Sequence, residues 1–549
     1  MLQASTEPPS LSNRSSAGRQ PRFVQGLIVV LGLVALFSHL GYLPLDTRSD
    51  EPRRALVALE MRLSGDYITP TLNGVPYFNK PPLYNWIIAG SYWLFGSYSS
   101  LALRLPMLLS LLGFALTVYL VVRRYVGGAV AFAAALMLIT NVRILLYDSL
   151  LGLIDTTFSW LTYLAFVLVY HFDGAEAGRR KNHTALFLST YALTAVGFLM
   201  KGLPSLVFQA LTLLAWFGYT RQWRALLRPA HWLGIGLFLA LTGLYYVAYF
   251  TRNPIPVENV AGVLFRESAK RTVVQFGIGQ TLLHLLTFPF EMLYHFAPWL
   301  TAVLLLFRRD VRRVLTANRF VFFNLLTFAV NFVIYWSSPQ VYARYLIMFL
   351  PLLFTALAYV YYHHTRPTDP QRRWLEGLWL AAAVLITVGS WVPVLLPETR
   401  GLPGVGWKAG VTFTALALVT YGLFRQPSNR LVFLILFMVI VRIGFNWFVL
   451  PGRLTTRLAY KEDSERIARL TLGKPLYGYR QTIGDDGSKD VNSFHIAALR
   501  GDILRLTDQK YPGAYYIADS VHLAGETYRT LDTIRLFDNQ PARLVQFVE

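Results

Sequence analysis

The chain has 549 residues, 54% of them hydrophobic, with a mean hydropathy of +0.42. Apolar runs near the roughly 20 residues that cross a bilayer core of about 30 Å recur along it, which excludes an ordinary soluble fold. With no cysteine it has neither disulfides nor thiolate metal sites. The formal charge of +21 is expected in basic loops near anionic headgroups rather than on nucleic acid. The predicted class is a polytopic α-helical membrane protein.

Residues 1–21 are rich in Ser, Pro and Arg and read as a disordered cytoplasmic tail. The first apolar run, 23–43, is long and lacks a small-residue cleavage site, so it reads as a retained span. Further spans are predicted over 103–122, 128–146, 156–171, 184–199, 203–219, 231–250, 290–307, 319–337, 341–361, 374–395, 409–424 and 431–449, about thirteen in all. Alternate loops carry Arg123 and Arg124, Arg179 to Lys181, Arg221, Arg224 and Arg228, Arg308 to Arg319, Arg366 to Arg373, and Arg425 with Arg430. Basic loops stay in the cytoplasm, so the N-terminus is inside and the C-terminal tail outside. A cysteine introduced at Arg180 is therefore expected to react only with a membrane-permeant reagent. Labelling of intact cells at that position by an impermeant maleimide would reverse the topology.

Two outside loops are long, 44–102 and 251–289. The first holds a predicted helix from Glu51 to Leu63, with Leu56, Leu59 and Leu63 on one face, expected to lie in the membrane interface. Leu83 to Phe95 is too short to span and forms a second surface helix. Residues 22–454 thus make the membrane domain, and the polar residues 455–549 a small α/β domain outside it. In that domain a helix is expected over 461–472 and strands over 474–480, 514–518 and 543–548. No internal repeat is visible, unlike many transporter folds.

Asp50 and Glu51 precede Pro52 at the start of the first loop helix. They have a capping reading, in which Ser49 or Asp50 caps, Glu51 meets the dipole and Pro52 fills the first turn. They also have a catalytic one, in which a carboxylate at the membrane boundary takes a proton from an acceptor. Lys80, stiffened by Pro81 and Pro82, is either a snorkelling lysine or a cation placed for a phosphate. Asp155, with Asp148 before it, opens a span, as a helix cap or as a functional carboxylate. Lys201 heads another span, where an anionic partner would suit the helix dipole. Arg344 stands beside Tyr342 and Tyr345. Glu267, Lys270, Arg271 and His284 lie in the second long loop. Together Lys80, Lys201, Arg271 and Arg344 put several cations on the face that the charge rule depletes, which points to an anionic lipid headgroup bound from outside.

The stretch Asp50-Glu51-Pro52-Arg53, then Gly65-Asp66-Tyr67 and Leu72-Asn73-Gly74-Val75-Pro76-Tyr77-Phe78-Asn79-Lys80-Pro81-Pro82, resembles the first outer loop of GT-C glycosyltransferases. It is most similar to the bacterial group related to aminoarabinose transferase and protein O-mannosyltransferase. Asp155-Thr156, Lys201 to Pro204, Ser337 to Tyr345 with Pro351, and the outer C-terminal domain continue the likeness. The resemblance implies an inverting transfer from a polyprenyl-phosphate sugar to an envelope lipid such as lipid A, a glycan or a protein, by a monomer in the bacterial inner membrane with its active site facing the periplasm. It makes Asp50, and after it Glu51, the catalytic base, and Lys80, Lys201, Arg271 and Arg344 the holders of the donor phosphate. Arg53, Tyr77, Asn79, Asp155, Tyr342 and Tyr345 then line the cavity. Asn79 departs from the aminoarabinose transferases, which carry Glu immediately before the Lys-Pro-Pro turn; this removes a carboxylate and bears on both sugar choice and any metal site. A divalent metal is not required, since the leaving phosphate already carries charge, but His284 and Asp155 are candidate ligands. The rival readings are a lipid-linked glycan flippase or transporter, which would want charges near the bilayer midplane, and a glycan polymerase.

Overall fold

The computed structural model describes residues 22–174, 180–256, 258, 259, 262, 263, 273–480, 482, 483, 489–536 and 540–548. The predicted tail 1–21, Arg179, Glu267, Lys270 and the phosphate candidate Arg271 lie outside the described residues. Among these residues eight helices are long and apolar enough to cross a membrane, or nine if the bent pair Gly128–Thr140 and Val142–Leu150 is one span. Helices also occupy the other predicted spans. However, Arg22–Phe37 and Pro204–Tyr219 have only 16 residues each. The run predicted over 290–307 divides into a helix ending at His295 and a 3-10 turn from Trp299 to Leu306. Ile154–Phe172 buries Asp155, Thr156, Thr157, Ser159 and Thr162, which dilutes its apolar character. By length and apolarity alone, eight or nine of the thirteen predicted spans qualify as crossings among the described residues.

Local signals account for the helix ends. The Ser99 hydroxyl accepts from the Ala102 N–H to start Ser100–Tyr125, and Arg123 and Arg124 meet the negative end of its dipole. Asn318 caps Arg319–Trp336 by accepting from Phe320 and Val321. Prolines occupy the first turn of Pro204–Tyr219, Pro229–Arg252 and Pro370–Gly389. The span Ala343–His363 has 89% of its apolar window buried within the protein, against 17% for Pro370–Leu395. A helix apolar on all sides and buried on all sides is central; one largely exposed faces lipid.

The loop helix Glu51–Ser64 is not an interfacial helix. Nearly every residue from Glu51 to Met61 is buried. Leu56 and Leu59 join the main core while Val57 and Met61 pack with Tyr77, so two faces are used, not one. The helix stops at Gly65 in the left-handed conformation, a position that costs glycine little. Beyond it, Glu60 is roofed by the two-stranded hairpin Thr71–Leu72 and Val75–Pro76, accepting from the Thr71 hydroxyl and the Asn73 and Gly74 N–H groups.

The C-terminal part opens with the helix Leu450–Leu470, which runs unbroken through residue 455. A five-stranded sheet follows, in the order Arg505–Thr507, Leu476–Tyr479, Tyr515–Asp519, Pro541–Phe547, Tyr528–Arg535. The first three strands are parallel and the last two join antiparallel. Its core packs Ile467, Ile496, Ile517 and Leu544 between the sheet and the helices Leu450–Leu470 and Asp490–Arg500. Arg53 of the loop helix donates to Asp490 at 3.0 Å, which ties this domain to the first loop.

Candidate active site

The two members of the acidic pair point in opposite directions. Glu51 is fully buried. Its oxygens accept from Arg104 Nε at 2.7 Å and Nη2 at 2.9 Å, from the Gly152 N–H at 2.7 Å and from the Asp46 N–H at 2.9 Å. Arg104 completes its fork on the carbonyls of Leu40, Leu43 and Pro44. Burial would push the Glu51 carboxyl up, but Arg104 and the two backbone donors outweigh it and hold it below the ordinary range. A carboxylate sealed in this way cannot reach an acceptor, so the expectation of Glu51 as an alternative base does not fit its surroundings. It fixes the chain entering the loop helix.

Asp50 occupies the N-cap position, yet its side chain makes no capping bond; the Ser49 hydroxyl accepts from the Glu51 N–H instead. The Asp50 side chain is 56% exposed and takes a hydrogen bond from Arg344 Nη2 at 2.8 Å. Capping therefore does not explain the orientation of this carboxylate. Arg344 is buried, and its Nε lies 3.4 Å from Asp155. Asp155 is buried too, with its other oxygen 2.5 Å from Lys201 Nζ. The Lys201 ammonium stands 4.2 Å from the centre of the Tyr345 ring, and the Arg344 guanidinium 4.4 Å from that of Tyr342. Four charged residues from four separate segments thus form one chain: Asp50, Arg344, Asp155, Lys201. Only its Asp50 end is open.

Lys80 lies within electrostatic reach of Asp155 and lines a small cleft with Tyr77, Phe78 and the tyrosines Tyr245, Tyr246 and Tyr249. Asn79 is half-buried beside it. Tyr77 accepts from Arg54 at 2.6 Å, and Arg53 turns to Asp490. Arg53 and Tyr77 thus have partners within the protein, while Tyr77 also lines the cleft and Arg53 keeps a buried Nη2 with no hydrogen-bond partner. Asp148 pairs with Arg143 at 3.0 Å. His284 packs 4.6 Å from the Phe288 ring and its buried Nε2 has no hydrogen-bond partner. Asp155 is held by two cations. Among the described residues no three His, Cys, Asp or Glu side chains are grouped to hold a metal. The donor set around Asp155 thus does not fit a divalent ion.

Nothing local in the sequence marks Arg143 or Asp46 as part of these networks. Arg104 had a readable signal, being a lone ionisable residue inside a predicted span.

A family described as dolichyl-phosphate-mannose-protein mannosyltransferase matches residues 79–246. An undecaprenyl phosphate-alpha-4-amino-4-deoxy-L-arabinose arabinosyl transferase of Sodalis glossinidius (strain morsitans) is 32% identical over 209 residues, 36% of this chain and 36% of that protein. Its counterpart from Shewanella sediminis (strain HAW-EB3) is 33% identical over 187 residues, 32% and 33% of the two chains. The chain therefore matches about a third of the length of these curated relatives. In three dimensions it is similar to ArnT from Cupriavidus metallidurans in the apo state, with a TM-score of 0.69 at 20% identity over 95% of this chain and 97% of that one. The same protein bound to undecaprenyl phosphate gives 0.67 at 19% identity, with the same coverage of both chains. At that identity the agreement is one of fold. The motif order, the matched segment and the fold thus make the chain similar to aminoarabinose transferases and to the protein mannosyltransferase family, with the fold of ArnT.

Proposed function

We propose that the chain is an inverting glycosyltransferase. It moves a sugar from a polyprenyl-phosphate donor to an envelope lipid, glycan or protein acceptor at the outer face of the bacterial cytoplasmic membrane. The observation that carries this reading is the chain Asp50–Arg344–Asp155–Lys201, in which an open carboxylate and two buried cations share one contact network. The named relatives use undecaprenyl phosphate sugars, and the similar solved structure binds undecaprenyl phosphate, which supports the choice of donor.

Each residue has a distinct part. Asp50 takes the proton from the acceptor hydroxyl or amine as that atom bonds to the anomeric carbon. The bond from that carbon to the phosphate oxygen breaks on the opposite side, and its electron pair leaves with the polyprenyl phosphate. Lys201, Lys80 and Arg344 offset the charge that grows on this leaving group. Asp155 holds Arg344 and Lys201 where the phosphate needs them. Before the donor arrives, Arg344 pairs with Asp50; a phosphate competes for the same guanidinium, so donor binding loosens the base for its work. No step passes through a metal.

Neutralising a phosphate contact is expected to weaken donor use while the protein still folds. A charge-assisted hydrogen bond contributes roughly 1.5–3 kcal/mol, so Arg344→Gln and Lys80→Met should each lower kcat/KM for the donor by about 10- to 100-fold. Steady-state kinetics with a synthetic polyprenyl-phosphate sugar checks this. Wild-type kcat/KM in both variants would reduce these residues to boundary cations and remove the reading.

A further inference from the structure

Where the span Pro427–Phe448 gives way to the helix Leu450–Leu470, a cavity of about 470 Å³ opens against the turn that precedes Asp50. Its walls include Asp46 and Arg48 on the turn, Arg453, Thr456 and Arg457 on the helix, and Tyr147. None of the residues of the Asp50–Arg344–Asp155–Lys201 chain lines it.

The charges here do not balance. Arg457 is buried and spends its guanidinium on Asp46 at 2.5 Å and on the Pro44 carbonyl. Asp46 also accepts from the Tyr147 hydroxyl at 3.4 Å. Arg48, exposed, and Arg453, half-buried, have no carboxylate partner among the described residues. Arg453 instead lies over the Phe445 ring at 5.1 Å and acts as a repelling charge on both Arg442 and Arg457. Two cations are thus held beside a third and near a fourth, with one carboxylate already satisfied. Neighbouring cations repel, and a bound anion relieves the repulsion. Guanidinium forks fit phosphate oxygens in a bidentate manner, and the Thr456 hydroxyl adds a donor. The site lies at the end of an apolar span long enough to cross the membrane, and headgroup phosphates stand beyond the hydrocarbon core that such a span crosses. The exposed Val449 on its rim suits the start of an acyl chain.

We propose that this cavity is a second anion site, apart from the catalytic cluster, which binds a phosphate group on Arg48 and Arg453. The phosphate comes from an anionic phospholipid of the bilayer or arrives free in solution. The site does not depend on the transfer reaction, and it holds the junction between bundle and sheet domain against the membrane surface.

The test uses the full-length chain in nanodiscs of phosphatidylcholine mixed with phosphatidylglycerol, with native mass spectrometry of the lipid retained after extraction. The wild type is expected to keep phosphatidylglycerol. The pair Arg48→Gln with Arg453→Gln should keep about tenfold less, and Arg48→Lys with Arg453→Lys should fall between the two, since the charge remains but the guanidinium fork is lost. That pattern assigns a lipid headgroup. Equal lipid retention, together with calorimetric binding of inorganic phosphate that the glutamine pair loses, assigns free phosphate and also supports the site. Equal behaviour of wild type and glutamine pair toward both probes would overturn it. Binding of undecaprenyl phosphate is measured on the same samples, so a failed donor reading is seen separately.

Discussion

Asp50→Asn is expected to lower sugar transfer by about 10²–10⁴-fold, the usual range for loss of a general base, with donor binding retained. The substitution keeps shape, and Asn caps a helix about as well as Asp. The capping alternative is already weak, because the Asp50 side chain makes no cap bond and instead meets Arg344. The variant should therefore fold and insert as the wild type does, which size-exclusion behaviour and thermal unfolding will report. Asn can still accept from Arg344 but cannot take up the acceptor proton. A stable Asp50→Asn protein with near-normal transfer would remove the base from this position. Glu51 would not inherit the role, because it is sealed from solvent.

The largest stability effect is expected at Glu51 and Arg104. The pair is buried on both sides, and removing one partner leaves an uncompensated charge that typically costs about 3–5 kcal/mol. Glu51→Gln or Arg104→Gln alone should thus lower the unfolding midpoint clearly. The double variant should lose less than the sum of the two, since no orphan charge remains. The pH dependence has a definite sign. Burial raises the Glu51 carboxyl, Arg104 and the Gly152 and Asp46 donors lower it further, and the folded value lies below the ordinary 4.5. The unfolded state then binds the proton first as pH falls. This contribution is complete above the unfolded value and is lost as pH drops through the folded one. Thermal unfolding of wild type from pH 7 to pH 3 should lose this increment, and Glu51→Gln should lack it. Additive effects, or identical acid profiles, would mean the pair is not the anchor described.

Much of the site was readable because chemistry-bearing residues stood at the ends of apolar runs. Lys80, Lys201 and Arg344 stand out as cations where the inside-positive rule leaves few, and Asp50 and Asp155 as carboxylates heading a loop helix and a span. Their mutual geometry was not readable: Arg344 is 294 residues from Asp50, and nothing local in either segment announces the other. The choice between Asp50 and Glu51 also needed three dimensions, since it turns on Arg104 and Gly152 approaching from another part of the chain. The sequence of the loop helix shows one leucine face, which points to the interface. Its second face is smaller, Val57 and Met61, and is buried by Tyr77. In the sheet domain the apolar strands Leu476–Tyr479 and Tyr515–Asp519 were legible. Tyr528–Arg535, whose mixed polar residues suit an edge strand, carried no alternating pattern.

The central claim is that a bond is broken at a polyprenyl phosphate. The direct measurement gives the purified chain a labelled polyprenyl-phosphate sugar in proteoliposomes and follows release of free polyprenyl phosphate when envelope lipid, glycan and protein fractions are added. Transfer predicts acceptor-dependent release of the lipid phosphate, with the label appearing in one acceptor fraction with inverted anomeric configuration. A donor that stays intact, or only changes leaflet, would contradict the account and leave a lipid-linked glycan transporter in its place.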